Sequence, residues 1–391
     1  MYLDYAATTP LDSTVLEQMM PYFHDEFGNA SSQHAFGRKA IAAVDRAREQ
    51  IASVLGASAG EIYFTSGGTE SDNWAIRGVA KSYREKGKHI ITSSVEHHAV
   101  LNTLKFLEEE GFEVTYLPVD EKGRVSVEDV VRTIREDTIL VTVMLANNEV
   151  GTIEPIEKIA RVAREKGVLM HTDAVQAVGI LPVKIADLGV DFLSLSGHKF
   201  YGPKGVGVLY VRKGVKLGRI LTGGAQERTM RGGTYNTPGI VGIGAALELA
   251  EKTREDTKKK CSDLRDYFLS EIRSVIPDVI LNGTDGEDRL PNNLHVSFAN
   301  VDGEALLRIL DRAGIAASAG SACASGTLEE SHVLTAMGIS KDLAKSSIRF
   351  SVGKQTTRED IDYTVSVLVD AVGRLRSQTL FLQGKAISTD I

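Results

Sequence analysis

EIYFTSGGTESDNWAIRGVAKSYREKGKHIITSSVEHHAVLNTLKFLEEEG (Glu61–Gly111) is the stretch on which the fold turns. EIYF and HIITSS are short runs of apolar and β-branched residues, too brief for helices. Each breaks at small or polar residues and gives way to a longer helical pattern. Two strands joined through a helix can only lie parallel, because the helix carries the chain back to its starting edge. The alternation then continues. FEVTYLPV (112–119), DTILVTVMLAN (137–147) and VLMHTD (168–173) read as strands, each followed by a helix signal, which after the last is AVQAV. DFLSL (191–195) and VGVLYV (206–211) read as two more, joined through Lys199 and the turn residues GPKG. This order predicts an α/β fold, with a mostly parallel sheet covered by helices on both faces.

At 391 residues the chain is longer than one ordinary domain. Residues 237–275 read as one long helix or two run together, bridging to a second unit. Beyond Val279 the strands NNLHVSFAN and SSIRFSVG are separated by helical segments, as in a small α+β domain. The expected division is a large domain over 12–255 and a small one over 256–391 joined by residues 1–11. The tail after Ser377 shows little pattern and is expected to be mobile. A net charge of −7 and no basic run with interleaved aromatics exclude a nucleic-acid groove. No apolar run is long enough for a membrane span, and MYLDYAATTP is no signal peptide. Two cysteines, Cys261 and Cys323, with no CxxC pair, exclude a disulfide framework and a zinc site, and fit a reducing cytoplasm.

In open parallel sheets ligands bind beyond the carboxyl ends of the strands, so chemistry is sought there. TSGGTESDN (65–73) leads small residues and Thr69 into a helix start, which suits a phosphate or is simply a capped turn. EHH brings His97 to a strand end, able to stack or shuttle protons, or merely a satisfied loop residue. NNEVGT (147–152) offers side-chain amides for a carboxylate, or an ordinary turn. Asp173 either caps a helix or pairs with a cationic ring nitrogen, with Gln176 three residues on. Ser196, His198 and Lys199 combine anion donors with an amine. Cys323 lies among Ala, Ser and Gly in SAGSACASGT, whereas Cys261 follows the charged run DTKKK. One chemistry needs an amine, a carboxylate for a ring nitrogen, a flat stacking group and a phosphate cradle together. It is that of pyridoxal 5′-phosphate.

The segments LDYAATTP, SGGTESDN, VEHHAVL, NNEVGT, DAVQAVG, SGHKFYGPKGVG, MRGGT and GSACASGTLEESHVL, in this order, resemble the cysteine desulfurases of the NifS/IscS type, long-loop group. These are class V aminotransferase-like enzymes of pyridoxal-phosphate fold type I. The resemblance runs from about Tyr2 to Arg376. It implies a seven-stranded sheet, and conversion of L-cysteine to L-alanine with sulfur passed to Cys323 as a persulfide. It implies Lys199 as the covalent anchor of the cofactor and proton carrier, and His97 as the ring-stacking acid–base group. Asp173 is implied on the ring nitrogen, Gln176 on the phenolic oxygen, and Gly68, Thr69, Ser196 and His198 on the phosphate. Thr234 is implied to reach the phosphate of a neighbouring subunit, hence a homodimer. Asn148 and Arg349 are implied to grip the substrate carboxylate. No resident metal is expected, only sulfur or an iron–sulfur group held transiently at Cys323. An iron–sulfur scaffold protein of the IscU/NifU kind, or a tRNA-thiolation protein, is the implied acceptor. The rivals are a selenocysteine lyase or aminotransferase on the same fold, of which the aminotransferase needs no cysteine on a small-residue loop, and a non-catalytic sulfur scaffold, which needs no Lys199 or Asp173.

Overall fold

Seven strands form the central sheet of the protein, a computed structural model that describes residues 1–319 and 331–387. They are β1 (Ile62–Thr65), β2 (His89–Ser93), β3 (Glu113–Leu117), β4 (Thr138–Thr142), β5 (Leu169–Asp173), β6 (Phe192–Ser196) and β7 (Gly207–Val211). Their spatial order is β1-β7-β6-β5-β4-β2-β3. Only β7 runs against its neighbours. Strands β4, β6 and β7 are buried along their whole length, which is why β4 and β7 read as apolar runs rather than alternating ones. The edge strand β3 is mostly half-exposed and carries Glu113 and Thr115. Buried His89 on β2 is accommodated by two hydroxyls, Thr138 Oγ1 and Thr115 Oγ1, each at 2.8 Å.

Helices Gly68–Tyr83 and His98–Glu109 follow β1 and β2, as the opening segment predicts. Their starts follow from local chemistry. The His97 side chain accepts Ala99 N–H at the head of the second, and Ser66 N–H is taken up by Glu70 in the first turn of the other. Directly after β5 no α-helix forms, and the connection to β6 holds only the short helix Ile185–Leu188. Asp173 Oδ1 accepts Val175 N–H at 2.8 Å and bends residues 174–178 into turns, so the expected helix AVQAV is corrected to a turn. The long segment is two helices, Thr237–Lys252 and Arg254–Val275, meeting at Thr253.

A second, antiparallel sheet of order β10-β9-β8 comprises β8 (Val279–Leu281), β9 (Asn293–Phe298) and β10 (Ser347–Ser351). Helix Arg358–Ile387 packs against helices Arg254–Val275 and Gly303–Arg312 and runs on through the segment whose sequence pattern is weak. The N-terminus bridges this region, Tyr2 pairing with Ala316 and Asp4 with Ser351, while Ser318 pairs with Arg349. Cys261, which follows the charged run DTKKK, is buried in the core on helix Arg254–Val275, and burial pushes its thiol up to about 11.

Candidate active site

Ten of the expected residues line one cavity of about 320 Å³ at the carboxyl ends of the strands: Gly68, Thr69, His97, Asn148, Asp173, Gln176, Ser196, His198, Lys199 and Arg349. They hang from several strand ends. Gly68 and Thr69 follow β1, His97 follows β2, Asn148 follows β4, and Asp173 ends β5. Ser196 ends β6 and passes directly into the single turn Gly197–Lys199, which fixes the amine beside it. Arg349 comes from β10 of the small sheet. Thr234 is exposed and does not line this cavity. Cys323 lies outside the described residues.

Glycine shapes the cradle. Gly207 on β7 lies between Thr65 of β1 and Ser196 of β6. A Cβ there would sit 2.6 Å from the carbonyl carbon of Gly67, so the loop ahead of helix Gly68–Tyr83 can lie flat on the sheet only over a glycine. A Cβ on Gly68 would be 2.7 Å from Val175 Cγ2, filling the space between the helix start and β5. The helix N-terminus therefore presents its backbone N–H groups and Thr69 to the cavity, a ready anion site. A second opening of about 410 Å³ shares Gly68, Thr69, Ser196 and His198 and adds Thr8, Lys204 and Gly205.

Lys199 Nζ donates to the carbonyls of Ala6 (2.6 Å) and Ala7 (2.9 Å). Gln176 Nε2 donates to the same Ala6 carbonyl. His97 Nδ1 accepts Ala99 N–H at 3.1 Å, which puts the proton of the neutral ring on Nε2. Burial, together with Lys199, His98 and His332, holds its pKa down at about 4, so the ring is neutral and flat at physiological pH. His198 is held near 4 by burial, Lys199 and Lys204, and its Nδ1 meets Thr8 Oγ1 at 3.1 Å. Burial raises the Asp173 carboxyl, while Val175 N–H and Lys199 pull it back toward the charged form.

Sequence reasoning missed four groups here. Asp4 Oδ1 accepts from Arg349 Nη2 at 2.9 Å. The Ala6 and Ala7 carbonyls hold the amine. Asp72 lines the cavity one helical turn after Thr69, and burial and then Asp173 raise it well above the usual carboxylate range. Glu96, buried beside His97, accepts from Ser93 Oγ and Met144 N, and burial pushes it up to about 8. A signal existed for Asp4, Ala6 and Ala7, since LDYAATTP stands out as a motif. For Asp72 it was only helical spacing.

A class-V aminotransferase family model matches residues 1–364. A cysteine desulfurase IscS of Dictyoglomus turgidum is 53% identical over 383 residues, 98% of this chain and 97% of that protein. The cysteine desulfurase IscS of Methanosarcina thermophila is 51% identical over 97% of this chain and 93% of its own length. Among solved structures, a NifS-like protein superposes with a TM-score of 0.88 at 40% identity, covering 97% of this chain and 99% of that one. A structure of SspA in complex with cysteine gives 0.81 at 40% identity, covering 91% and 99%.

Proposed function

We infer, from the premise that this chain belongs to the class-V aminotransferase family and within it to the cysteine desulfurases of the IscS type, which residues carry its reaction and what it meets. The protein is a pyridoxal-phosphate-dependent cysteine desulfurase, taking L-cysteine to L-alanine. The residues present fit the cofactor: a glycine-shaped helix start for a phosphate, a buried carboxylate for a ring nitrogen and an amine between them. The observation that carries this assignment is the convergence of Lys199, Asp173 and the Gly68–Thr69 cradle on one cavity.

When bound, pyridoxal phosphate supplies an electron sink that makes the substrate Cα–H acidic. Gly68, Thr69, Ser196 and His198 hold its phosphate, and Asp173 holds the ring nitrogen in its protonated form. Gln176 donates to the phenolic oxygen. Neutral His97, its proton at Nε2 and its Nδ1 pinned by the helix start, would offer its flat face to the ring. Lys199 anchors the group covalently and then takes the proton from substrate Cα. The Ala6 and Ala7 carbonyls that hold its amine keep Nζ pointed into the cavity. Arg349 and Asn148 orient the substrate carboxylate, Arg349 through a planar fork suited to it. Cys323, as thiolate, attacks the substrate sulfur. The substrate C–S bond breaks, Cys323 keeps the sulfur as a persulfide, and the carbon skeleton takes up protons and leaves as L-alanine. The described residues on either side of that segment support this role. Ser318 pairs with Arg349, and Ser331 Oγ donates to buried Glu149 at 2.5 Å, so the chain enters and leaves beside the cavity.

The functional unit in this reading is a homodimer. Exposed Leu16, Met20, Phe23, Phe27 and Phe36 near the N-terminus support it, since so many large apolar side chains in one region are costly in water. Exposed Thr234, apart from its own cavity, is available to a neighbour's cofactor. The sulfur goes to an acceptor protein, an iron–sulfur scaffold or a tRNA-thiolation protein, in the cytoplasm. No helix among the described residues is long and apolar enough to cross a membrane. Borohydride reduction of the holoenzyme tests the assignment of the amine: the cofactor should be fixed on Lys199, and a label on any other lysine overturns it.

A further inference from the structure

The guanidinium of Arg349 is gripped from two sides. Nη2 donates to Asp4 Oδ1 and Nη1 to the carbonyl of Asn148, each at 2.9 Å. Its Nε–H is buried and has no hydrogen-bond partner. The residue is 2% exposed and lines the cavity. Nη1 and Nη2 each keep a second N–H beyond these bonds, and those are the donors left for a carboxylate in the cavity. Two in-plane partners on separate segments fix a planar fork completely, because the group can no longer rotate about its own arm. Asp4 is itself held. Its carbonyl accepts Ala7 N–H, closing a turn, and its backbone bridges to Ser351, two residues from Arg349 on β10. The same turn delivers the Ala6 and Ala7 carbonyls to Lys199 Nζ. One N-terminal turn therefore sets both cationic groups of the cavity.

We propose that Asp4 is a positioning residue for the substrate carboxylate: it fixes the plane of Arg349 where that residue lines the cavity, and so selects α-amino acids over plain amines. The inference rests on Arg349 being the carboxylate grip. Asp4 also offsets the Arg349 charge, so selection comes from the direction of the donors rather than from a bare positive field. Substrates that lack the carboxylate gain nothing from Asp4.

L-Alanine and ethylamine differ only by that carboxylate, and both can be titrated into the holoenzyme by the change in cofactor absorbance. The wild-type protein should bind L-alanine more tightly. In Asp4→Ala that preference should fall by about tenfold or more, the worth of one charge-assisted hydrogen bond, with ethylamine binding unchanged. Should Asp4→Ala fail to fold, Asp4→Glu serves, since its longer arm displaces the fork and should give the same selective loss. Arg349→Gln should remove the preference altogether. If Arg349→Gln removes it while Asp4→Ala and Asp4→Glu leave it intact or weaken both ligands equally, Asp4 is only a structural tether and the inference is overturned. If Arg349→Gln retains the preference, the reading of Arg349 fails, and the role of Asp4 with it.

Discussion

Replacing Gly207 by alanine should damage the cofactor site without touching a residue that lines the main cavity. The new Cβ would lie 2.6 Å from the Gly67 carbonyl carbon, 2.7 Å from Gly67 Cα and 2.8 Å from the Leu195 carbonyl oxygen. All three are backbone atoms, so none can swing aside as a side chain would. Gly207 is also held by β1 on one side and β6 on the other, so β7 cannot yield. Carbon atoms in comfortable contact sit about 3.5–4.0 Å apart, so the loop over Gly67 must lift by roughly 1 Å or the site must carry the strain. Overpacking of this kind costs about 1–3 kcal/mol. The cost appears in one of two places: as lower stability of the apoprotein if the loop stays, or as about 5- to 150-fold weaker cofactor binding if it lifts. Calorimetric unfolding of the apoprotein and equilibrium titration with pyridoxal phosphate measure both. Exposed Gly373 is the control. A Cβ there meets nothing within 4 Å, so Gly373→Ala should stabilise the helix by about 0.5–1 kcal/mol and leave cofactor affinity alone. Gly207→Ala protein with unchanged apoprotein stability and unchanged affinity would refute the reasoning.

Glu96→Gln should become progressively more stable relative to wild type as pH rises from 5 to 8. The folded carboxyl is raised to about 8 from an ordinary 4.5, so unfolding releases a proton throughout that window and rising pH favours the unfolded wild-type chain; a melting-temperature difference independent of pH contradicts this. Glu227→Gln should lower stability by about 3 kcal/mol or more in denaturant titration, because it leaves Arg48 buried without its charge partner. A loss below about 1 kcal/mol would mean the pair contributes no more than a surface one. Cys261→Ser should keep full desulfurase activity while losing about 1–2 kcal/mol of stability, since the hydroxyl enters an apolar core; reduced turnover at full stability would give Cys261 a role it is not assigned here.

The parallel sheet was legible because helices and strands alternate at spacings that admit few other topologies. The site was legible for a related reason: residues at the ends of β1, β2, β4, β5 and β6 must share one edge of such a sheet, so separate motifs could be added together. What sequence hid was long-range. Asp4 and Arg349 are brought together by the bridge between the N-terminus and β10, which no local pattern encodes. AVQAV has the apolar spacing of a helix, yet the Asp173 carboxylate captures Val175 N–H and wins locally. Cys261 follows Lys258, Lys259 and Lys260, a run that gives no sign of burial, but on a helix its neighbours face elsewhere and it turns to the core.

The central claim is that sulfur passes through Cys323, and peptide mass spectrometry after brief exposure of the holoenzyme to L-cysteine tests it most directly. One added sulfur should appear on the Cys323 peptide and none on the Cys261 peptide. Cys323→Ser should still bind L-cysteine, seen as a change in cofactor absorbance, while forming L-alanine at least about a thousandfold more slowly, a loss of about 4 kcal/mol of transition-state stabilisation. An unmodified Cys323 peptide, with Cys323→Ser producing alanine and sulfide at the wild-type rate, would contradict the account and point to direct elimination of sulfur from the substrate.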